Sequence, residues 1–407
     1  MRLAFLTHEP FFPPSGGGSA EAVYLVEELR RRGHEVHVFA PATAEQAEVE
    51  ARLGIRWHGF RGWKMGRYTR WRNLKYLLYP FVLARLVERE AADAAFDGLL
   101  AQHTISAVAA ARLKPRLRVP VALNYLDFLT GFMASWPRWI MPRPVLWALN
   151  RYETRLPARC DAEAVLTVSD PLADRLAAAG VPRERLRPIY YGCDTRMFRL
   201  DETALARRAD GPPVLLMHGS FDRHHLGETL LAAVQQVVAA RPDARLRLIG
   251  RSTPALRTFL RQAERRGLRE AVEWRDFVPY AEMGAELARA TVGLVPYEPT
   301  PGTHCAFVAK VVEYLAVGLP VVATPLEAIR LYFRDEPLLR FADHDAAALA
   351  AAMQGWLDTP PAQRAARAGP AAARIRRELD WRVVAARAVD FVEERFATVQ
   401  RRDRGEA

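Results

Sequence analysis

Cysteines are few in this sequence, and no apolar run is long enough to cross a membrane. Cys160, Cys193 and Cys305 lie far apart, without CxxC or Cys/His spacing. This pattern excludes a disulfide framework and a cysteine-based zinc site, and it favours a reducing compartment. The longest apolar candidate, Tyr76 to Ala84, is far shorter than the roughly 20 residues that a spanning helix needs. Because no signal peptide is recognisable after Met1 either, we expect a cytoplasmic protein.

Acidic residues are absent from residues 51–87, although the chain as a whole has 47 of them against 58 Lys and Arg, for a net charge of +11. Nine cations of this stretch alternate with aromatic residues, namely Trp57, Trp63, Tyr68, Trp71, Tyr76, Tyr79 and Phe81. A second stretch, 132–143, has a similar mixture. Such mixtures suit attachment to an anionic membrane surface, at roughly 1 kcal/mol per nearby cation. We therefore expect a peripheral location on the inner face of the cell membrane.

Two other interpretations compete for the same stretches. A solvated basic face beside a buried aromatic core produces the pattern as well as a lipid-binding surface does. Nucleic acid also attracts basic, aromatic surfaces, but no recognised nucleic-acid-binding module surrounds these residues. Nucleic acid is therefore not expected as a partner.

Short apolar segments of strand type alternate with segments of helical period along the whole chain, which is typical of parallel sheets with crossover helices. The predicted strands are Leu3–Thr7, Val36–Phe39, Gly98–Gln102, Val121–Asn124, Ala164–Val168, Val214–His218, Leu246–Ile249, Val272–Arg275, Val292–Val295 and Val321–Ala323. A length of 407 residues suits two domains. We predict an α/β protein with Rossmann-like, doubly wound domains at 1–200 and 201–380, and a terminal helix within 381–407.

A glycine triplet, Gly16 to Gly18, follows the first predicted strand and precedes an amphipathic helix that Gly33 ends. Backbone amides at such a helix N-terminus can approach a phosphate closely, and the helix dipole favours an anion there. The triplet is therefore a candidate diphosphate site, with a simple flexible turn as the alternative. It is not a dinucleotide fingerprint, because the loop is too long and no acidic residue ends the second strand. NAD and FAD are not expected, and no other cofactor is predicted.

The segment from Phe307 to Thr324 reads as a helix, a glycine stop and a buried strand. Lys310 and Glu313 are three residues apart, so they share a face of that helix. A carboxylate there can accept hydrogen bonds from two ribose hydroxyls while the ammonium neutralises phosphate. A surface salt bridge is the alternative for such a pair.

The string KVVEYLAVGLPVVAT, with VGLVPY before it, resembles the nucleotide-sugar signature of family 4 glycosyltransferases, also described as glycosyl transferases group 1. Further matching motifs occur in the family's order over nearly the whole chain: the glycine triplet with GHEVHVF, then AVLTVSD, YGCDTRMF, LLMHGSFD, RLRLIG and a terminal helix that starts at Trp381. The resemblance implies the GT-B fold, in which two Rossmann-like domains face a deep cleft and the C-terminal helix crosses back to the N-terminal domain.

The same resemblance implies a retaining, metal-independent hexosyltransferase. The C-terminal domain would bind a nucleoside-diphosphate sugar, and the N-terminal domain an acceptor that is a glycan, a lipid-linked sugar or a small molecule. His103 would reach the donor sugar or the reacting centre, and Asp127 lies near a family acidic position on the acceptor side; a capping histidine and a turn residue are the respective alternatives. The implied donor-binding residues are Gly16, Gly17, Gly18, Gly219, Ser220, Arg223, His225, Lys310, Val311 and Glu313.

Three positions depart from the family pattern. The first glutamate of the usual pair is Cys305 here, so that His304, Cys305 or backbone amides would contact the sugar. Ser220 and His225 stand where many members have a phosphate-binding Arg and Lys. Each lost charge-assisted hydrogen bond is worth roughly 1.5–3 kcal/mol, unless Arg223, His224 or Lys310 compensates.

The departures leave two alternatives to a transferase: a sugar-nucleotide epimerase of the same fold and a non-catalytic sugar-nucleotide-binding relative. The triplet Asp343-His344-Asp345 has the form of a metal-binding DxD motif, but it precedes an Ala-rich helix. Since aspartate is a favoured N-cap residue, we interpret the triplet as a helix cap and predict no metal site.

Overall fold

The computed structural model describes residues 1–14, 17–62, 72–201, 203 and 211–403. The chain forms two compact units, one made of residues 1–190 and 382–407 and the other of residues 191–381. Gly16, Trp63 and the cations between residues 64 and 70 lie outside the described residues.

The first unit contains a parallel sheet of seven strands in the order β3-β2-β1-β4-β5-β6-β7. Its strands are β1 Arg2–Thr7, β2 Glu35–Pro41, β3 Arg56–Phe60, β4 Gly98–Gln102, β5 Val121–Tyr125, β6 Ala164–Thr167 and β7 Leu186–Pro188. All residues of β4, β5 and β6 are buried. Burial on both faces explains why these strands are continuous apolar runs.

Helices connect these strands. They are α1 Gly17–Arg31, α2 Gln46–Leu53, α3 Arg72–Asp93, α4 His103–Leu117, α5 Leu129–Met133, α6 Arg143–Arg159 and α7 Asp170–Ala178. Helix α4 contacts both α3 and α6, so these three helices are neighbours in the layer that covers the sheet.

The second unit contains a parallel sheet of six strands in the order β10-β9-β8-β11-β12-β13. Its strands are β8 Val214–His218, β9 Arg245–Ile249, β10 Val272–Arg275, β11 Val292–Val295, β12 Val321–Ala323 and β13 Leu339–Phe341. Its helices are α8 Glu228–Ala240, α9 Pro254–Arg265, α10 Tyr280–Ala288, α11 Pro301–Cys305, α12 Ala309–Ala316, α13 Glu327–Tyr332, α14 Ala346–Asp358 and α15 Pro361–Glu378. Asp345 caps α14, because its Oδ1 accepts hydrogen bonds at 2.9 Å from the amides of Ala347 and Ala348, as the sequence predicted.

The terminal helix, α16 Trp381–Asp403, packs on the first unit. Glu393 accepts hydrogen bonds at 2.6 Å from Arg32 Nη1 and His34 Nε2. Phe396 covers Gly98, where an added Cβ would lie 2.4 Å from the phenylalanine ring. The predicted return of the C-terminal helix to the N-terminal domain is confirmed.

Part of the basic aromatic stretch is core. Trp57 lies in β3 and is 4% exposed, and Tyr79 is 5% exposed. Trp57 packs edge-on against Phe11, and its indole Nε1 donates to Ala40 O at 3.4 Å. These two aromatic residues therefore cannot face a membrane, whereas Phe81, 55% exposed, remains on the surface. No helix among the described residues is long and apolar enough to span a membrane.

Candidate active site

Each sheet has a topological switch point, where the strand order reverses direction. In the first sheet it lies between β1 and β4, and in the second between β8 and β11. Ligands of open parallel sheets bind beyond the carboxyl ends of the strands at these points. His8 and His103 follow β1 and β4 directly, Gly219 follows β8, and Tyr297 is the second residue after β11. Most of the predicted site residues therefore belong to one of these two edges.

Glu313 of α12 lies at the edge of the second sheet. It is 4% exposed, and its Oε2 lies 2.9 Å from Nε2 of His218, the last residue of β8. Burial raises the pKa of Glu313 to about 8, against the opposing effects of the Lys310 charge and a hydrogen bond from Tyr280. Burial, together with the Lys310 charge, lowers the pKa of His218 to about 3. Without a ligand both groups therefore favour their neutral forms.

Lys310 lies beside Glu313 on the same helix and is half-buried. Its Nζ donates a hydrogen bond to Tyr297 Oη at 2.7 Å. Gly219 has φ +100°, and a Cβ added there would lie 3.1 Å from Lys310 Cε and 3.2 Å from Nζ. The neighbouring Gly250 is just as constrained, since a Cβ there would lie 2.1 Å from Gly219 O. The two glycines leave room for an ammonium at the switch point, where it can pair with a phosphate.

The loop after β8 presents histidine where the family has lysine. His225 is 8% exposed, and its Nδ1 accepts a hydrogen bond from the backbone amide of Asp222 at 3.1 Å. This contact holds one nitrogen of the ring against the loop after β8. Ser220 is half-buried and Arg223 is exposed.

The two residues expected to contact the sugar, Cys305 and His304, differ in how accessible their side chains are. Cys305 is 1% exposed at the end of α11. His304 is half-buried, and its Nδ1 accepts from the amide of Glu327 at 3.2 Å. Val311, which was predicted among the donor-binding residues, is 0% exposed, so its side chain belongs to the core of the second unit. Of these three residues, His304 has the side chain that is accessible to a ligand.

In the first unit the structure brings the glycine loop and His103 together. A Cβ on Gly18 would lie 2.9 Å from Leu126 Cδ1 and 3.2 Å from both Cε1 and Nε2 of His103. His103 begins α4 with φ +67°, and its ring packs edge-on against His8. Gln102 Nε2 donates to Gly18 O at 2.9 Å, which fixes the start of α1. Gly17, with φ +53°, has open space around its Cα.

Two buried glutamates of the first unit were not predicted. Glu21 lies in α1, and its Oε1 accepts a hydrogen bond from Asn124 Nδ2 at 3.0 Å. The charge of Asp127, which is half-buried after β5, contributes to raising the pKa of Glu21. Glu153 of α6 accepts from the amides of Leu129 and Thr130 at 2.9 Å, so it holds α5 in place. A signal for Glu21 exists in the sequence, because it precedes Leu25 by four residues and therefore lies on the buried face of α1.

Comparisons with known proteins agree with this geometry. Residues 15–197 match the family Glycosyltransferase Family 4, and residues 212–359 match Glycosyl transferases group 1. A GDP-mannose-dependent alpha-mannosyltransferase of Mycobacterium tuberculosis is 29% identical over 331 residues, which are 79% of each chain. A GDP-mannose-dependent alpha-(1-6)-phosphatidylinositol monomannoside mannosyltransferase of Mycolicibacterium smegmatis is 27% identical over 330 residues, 77% of this chain and 78% of the relative.

Among solved structures, the sucrose-phosphate synthase of Thermosynechococcus elongatus superposes with a TM-score of 0.77 at 18% identity, covering 98% of this chain and 100% of that one. At such identity the likeness concerns the fold. The two family matches follow each other along the chain and fall on the two parallel-sheet units. The protein is a glycosyltransferase of the GT-B fold, with a family 4 domain followed by a group 1 domain.

Proposed function

We propose that this glycosyltransferase transfers mannose from GDP-mannose, with retention of anomeric configuration and without a metal ion, to a hydroxyl of an acceptor held at an anionic lipid surface. The observation that carries the proposal is the pair of Glu313 and Lys310 at the switch point of the second sheet. A buried carboxyl and an accessible ammonium on one helix are what a ribose and a diphosphate need. The two mannosyltransferase relatives support GDP-mannose as the donor.

In the proposed reaction the bond from the anomeric carbon to the diphosphate oxygen breaks, and the acceptor oxygen bonds to that carbon on the same face. The departing GDP takes the proton of the acceptor hydroxyl, so that the products are GDP and the mannoside. Lys310 stabilises the negative charge that develops on the diphosphate. In the first unit, the amides of Gly17 and Gly18 at the N-terminus of α1 are proposed as an anion-binding group. The donor-binding set comprises these residues together with Gly219, Ser220, Arg223, His225 and Glu313.

His103 is proposed to contact the donor sugar, and Asp127 to orient the acceptor hydroxyl. The positive φ of His103 holds its ring against Gly18 at the carboxyl end of β4. Strained backbone of this kind is typical of functional positions. His304 is proposed to contact a sugar hydroxyl, in place of the missing glutamate at Cys305.

The lipid surface is proposed to bind the neighbouring helices α3 and α6 and the segment before α6. Leu77 and Phe81 of α3 are 67% and 55% exposed, while Trp139 and Trp147 are 76% and 67% exposed. Cations accompany them: Arg112 of α4 lies over the Phe81 ring at 4.3 Å, and Arg85, Arg89, Arg138, Arg143 and Arg151 are exposed. Exposed aromatic and aliphatic side chains among cations favour an anionic interface.

The reaction is tested with a panel of GDP-mannose, UDP-glucose and ADP-glucose, each with and without an acceptor extract from anionic membranes. We expect GDP to be released from GDP-mannose only when acceptor is present, and an α-mannoside by NMR. Epimerised donor would instead indicate an isomerase. Binding of GDP without turnover would indicate a non-catalytic relative, and inverted product would refute the retaining mechanism.

A further inference from the structure

A buried acid–amide contact lies directly beneath the glycine loop. Glu21 is 4% exposed and Asn124, in β5, is 1% exposed. Asn124 Nδ2 donates to one carboxyl oxygen of Glu21, Oε1, at 3.0 Å. The contact joins the first turns of α1 to the carboxyl end of the strand that leads to Leu126 and Asp127.

The two remaining polar atoms of this contact are buried and have no hydrogen-bond partner among the residues that the structure describes. They are Oε2 of Glu21 and Oδ1 of Asn124. An ionised carboxylate and an amide oxygen are both acceptors, so neither can satisfy the other. A proton on Oε2 turns one of the two into a donor, and an acid and an amide can then share two hydrogen bonds. Burial, with the nearby charge of Asp127, raises the pKa of Glu21 to about 8, against the hydrogen bond from Asn124 that lowers it.

We propose that protonated Glu21 and Asn124 form a closed pair, in which the acid donates to Asn124 Oδ1 and accepts from Nδ2, and that this pair positions the Gly17–Gly18 turn against His103. Glu21 is thus a positioning residue for transfer, not a group that touches substrate. The inference depends on the proposed function only where activity is measured.

The position of the pair explains how it acts. Glu21 is three residues after Gly18, one helical turn away, and Asn124 is two residues before Leu126, which contacts Gly18. Ionisation of Glu21 removes the donor to Asn124 and places a negative charge beside Asp127. Among the described residues, His103 of α4 lies against Gly18, and His8 after β1 packs edge-on against His103. Repulsion then loosens the start of α1, where the amides meet phosphate.

The first test is the pH profile of kcat/KM for GDP-mannose. We expect the wild-type value to fall about tenfold per pH unit above the titration of Glu21. In Glu21→Gln the amide supplies a permanent donor to Asn124, so that this alkaline loss should disappear while activity at pH 7 stays within about twofold of wild type. Asn124→Asp places two acids together and should lose activity at pH 7. The double variant Glu21→Gln/Asn124→Asp exchanges the acid and the amide, and it should regain activity at pH values where the acid introduced in β5 is protonated.

The second test needs no substrate and compares the Tm of wild type and Glu21→Gln between pH 5 and pH 10. A carboxyl whose folded pKa is raised binds a proton more tightly when folded, so the stability it confers is lost as pH rises from its unfolded value toward about 8. The Tm of the variant minus that of wild type should therefore increase over this range and then stay constant.

The two tests separate the two ideas. If GDP-mannose is not consumed by wild type, the proposed function fails, yet the Tm difference still tests the pair. A Tm difference that does not change with pH, together with equal alkaline profiles in wild type and Glu21→Gln, would overturn the proposal.

Discussion

Gly219 and Lys310 are in contact at the carboxyl end of β8: a Cβ placed on Gly219 would lie 3.2 Å from Lys310 Nζ. This closeness explains why glycine follows the strand, because any side chain would push against the cation. Tyr297 holds the ammonium from the other side by the 2.7 Å hydrogen bond to its Oη. The Lys310 ammonium is therefore positioned by residues that follow two neighbouring strands, β8 and β11.

Gly219→Ala should weaken GDP binding, because the new methyl group displaces Lys310. Gly267→Ala is the matched control: Gly267 also has a positive φ, +74°, but nothing lies within 4 Å of its added Cβ. Both variants should lose about 1–2 kcal/mol of unfolding free energy from backbone strain. Calorimetry should show weaker GDP binding for Gly219→Ala than for wild type, and the wild-type affinity for Gly267→Ala. Equal GDP affinity in the two variants would contradict the contact.

Lys310→Met should reduce affinity for GDP by roughly 10- to 100-fold, since one charge-assisted hydrogen bond is worth about 1.5–3 kcal/mol. Tyr297→Phe keeps the cation but removes its hydrogen-bond partner, so we expect a smaller loss. Lys114→Met serves as the control, because Lys114 pairs with Glu163 at 2.6 Å in the first unit. Unchanged GDP affinity in Lys310→Met would exclude Lys310 from diphosphate binding.

The inner strands of both sheets and one edge strand, β10, could be predicted from the sequence, and the other three edge strands could not. All ten predicted strands are present, whereas β3, β7 and β13 were missed. Each of these three is at the edge of its sheet. A strand with one neighbour and partial exposure needs no continuous apolar run. Strand β3, in which Arg56 and His58 flank Trp57, resembles a basic aromatic surface. Periodicity therefore identifies best the strands that are buried on both faces.

The candidate site, like the fold, could be predicted only in part from the sequence. Lys310 and Glu313 were found because they belong to a recognisable string on a single helix. The pair of Glu21 and Asn124 joins residues 103 positions apart, and no local pattern indicates such a contact. The contact that holds the His225 ring was also beyond prediction, because it depends on one backbone amide. Local motifs identify the residues proposed to bind the donor better than the residues that hold them in place.

Substituting Trp139 and Trp147 with Ser should abolish flotation with vesicles that contain anionic lipid. Wild type should float with such vesicles at moderate salt, less at high salt, and little with zwitterionic ones, because cations and aromatic side chains act together. Trp274→Ser is a matched control, since Trp274 is 42% exposed in the second unit. If wild type fails to bind anionic vesicles at moderate salt, the lipid surface proposed here does not exist.

EDTA should leave the transfer rate unchanged. The test is stringent, because Asp222, His224 and His225 have ligand atoms within 4.8 Å of one another and could hold a metal ion. Rates should be measured after dialysis against EDTA and again after adding Mg²⁺, Mn²⁺ or Zn²⁺. A loss of activity that a divalent cation restores would refute metal independence, and Asp222→Asn would then show whether this cluster is responsible.

Glu313→Gln should remove the pH dependence of donor binding on the acid side. Because burial raises the pKa of Glu313 to about 8, the carboxyl must release a proton before it accepts hydrogen bonds from both ribose hydroxyls. Wild-type affinity for GDP should therefore rise about tenfold per unit as pH increases toward that value, and in Glu21→Gln, which lacks the alkaline loss, it should level off above it. Calorimetry in buffers of different ionisation enthalpy should detect the released proton in wild type and not in Glu313→Gln. Glu21→Gln provides the control, since it should retain the rise with pH; proton release that persists in Glu313→Gln would assign the titration to another group.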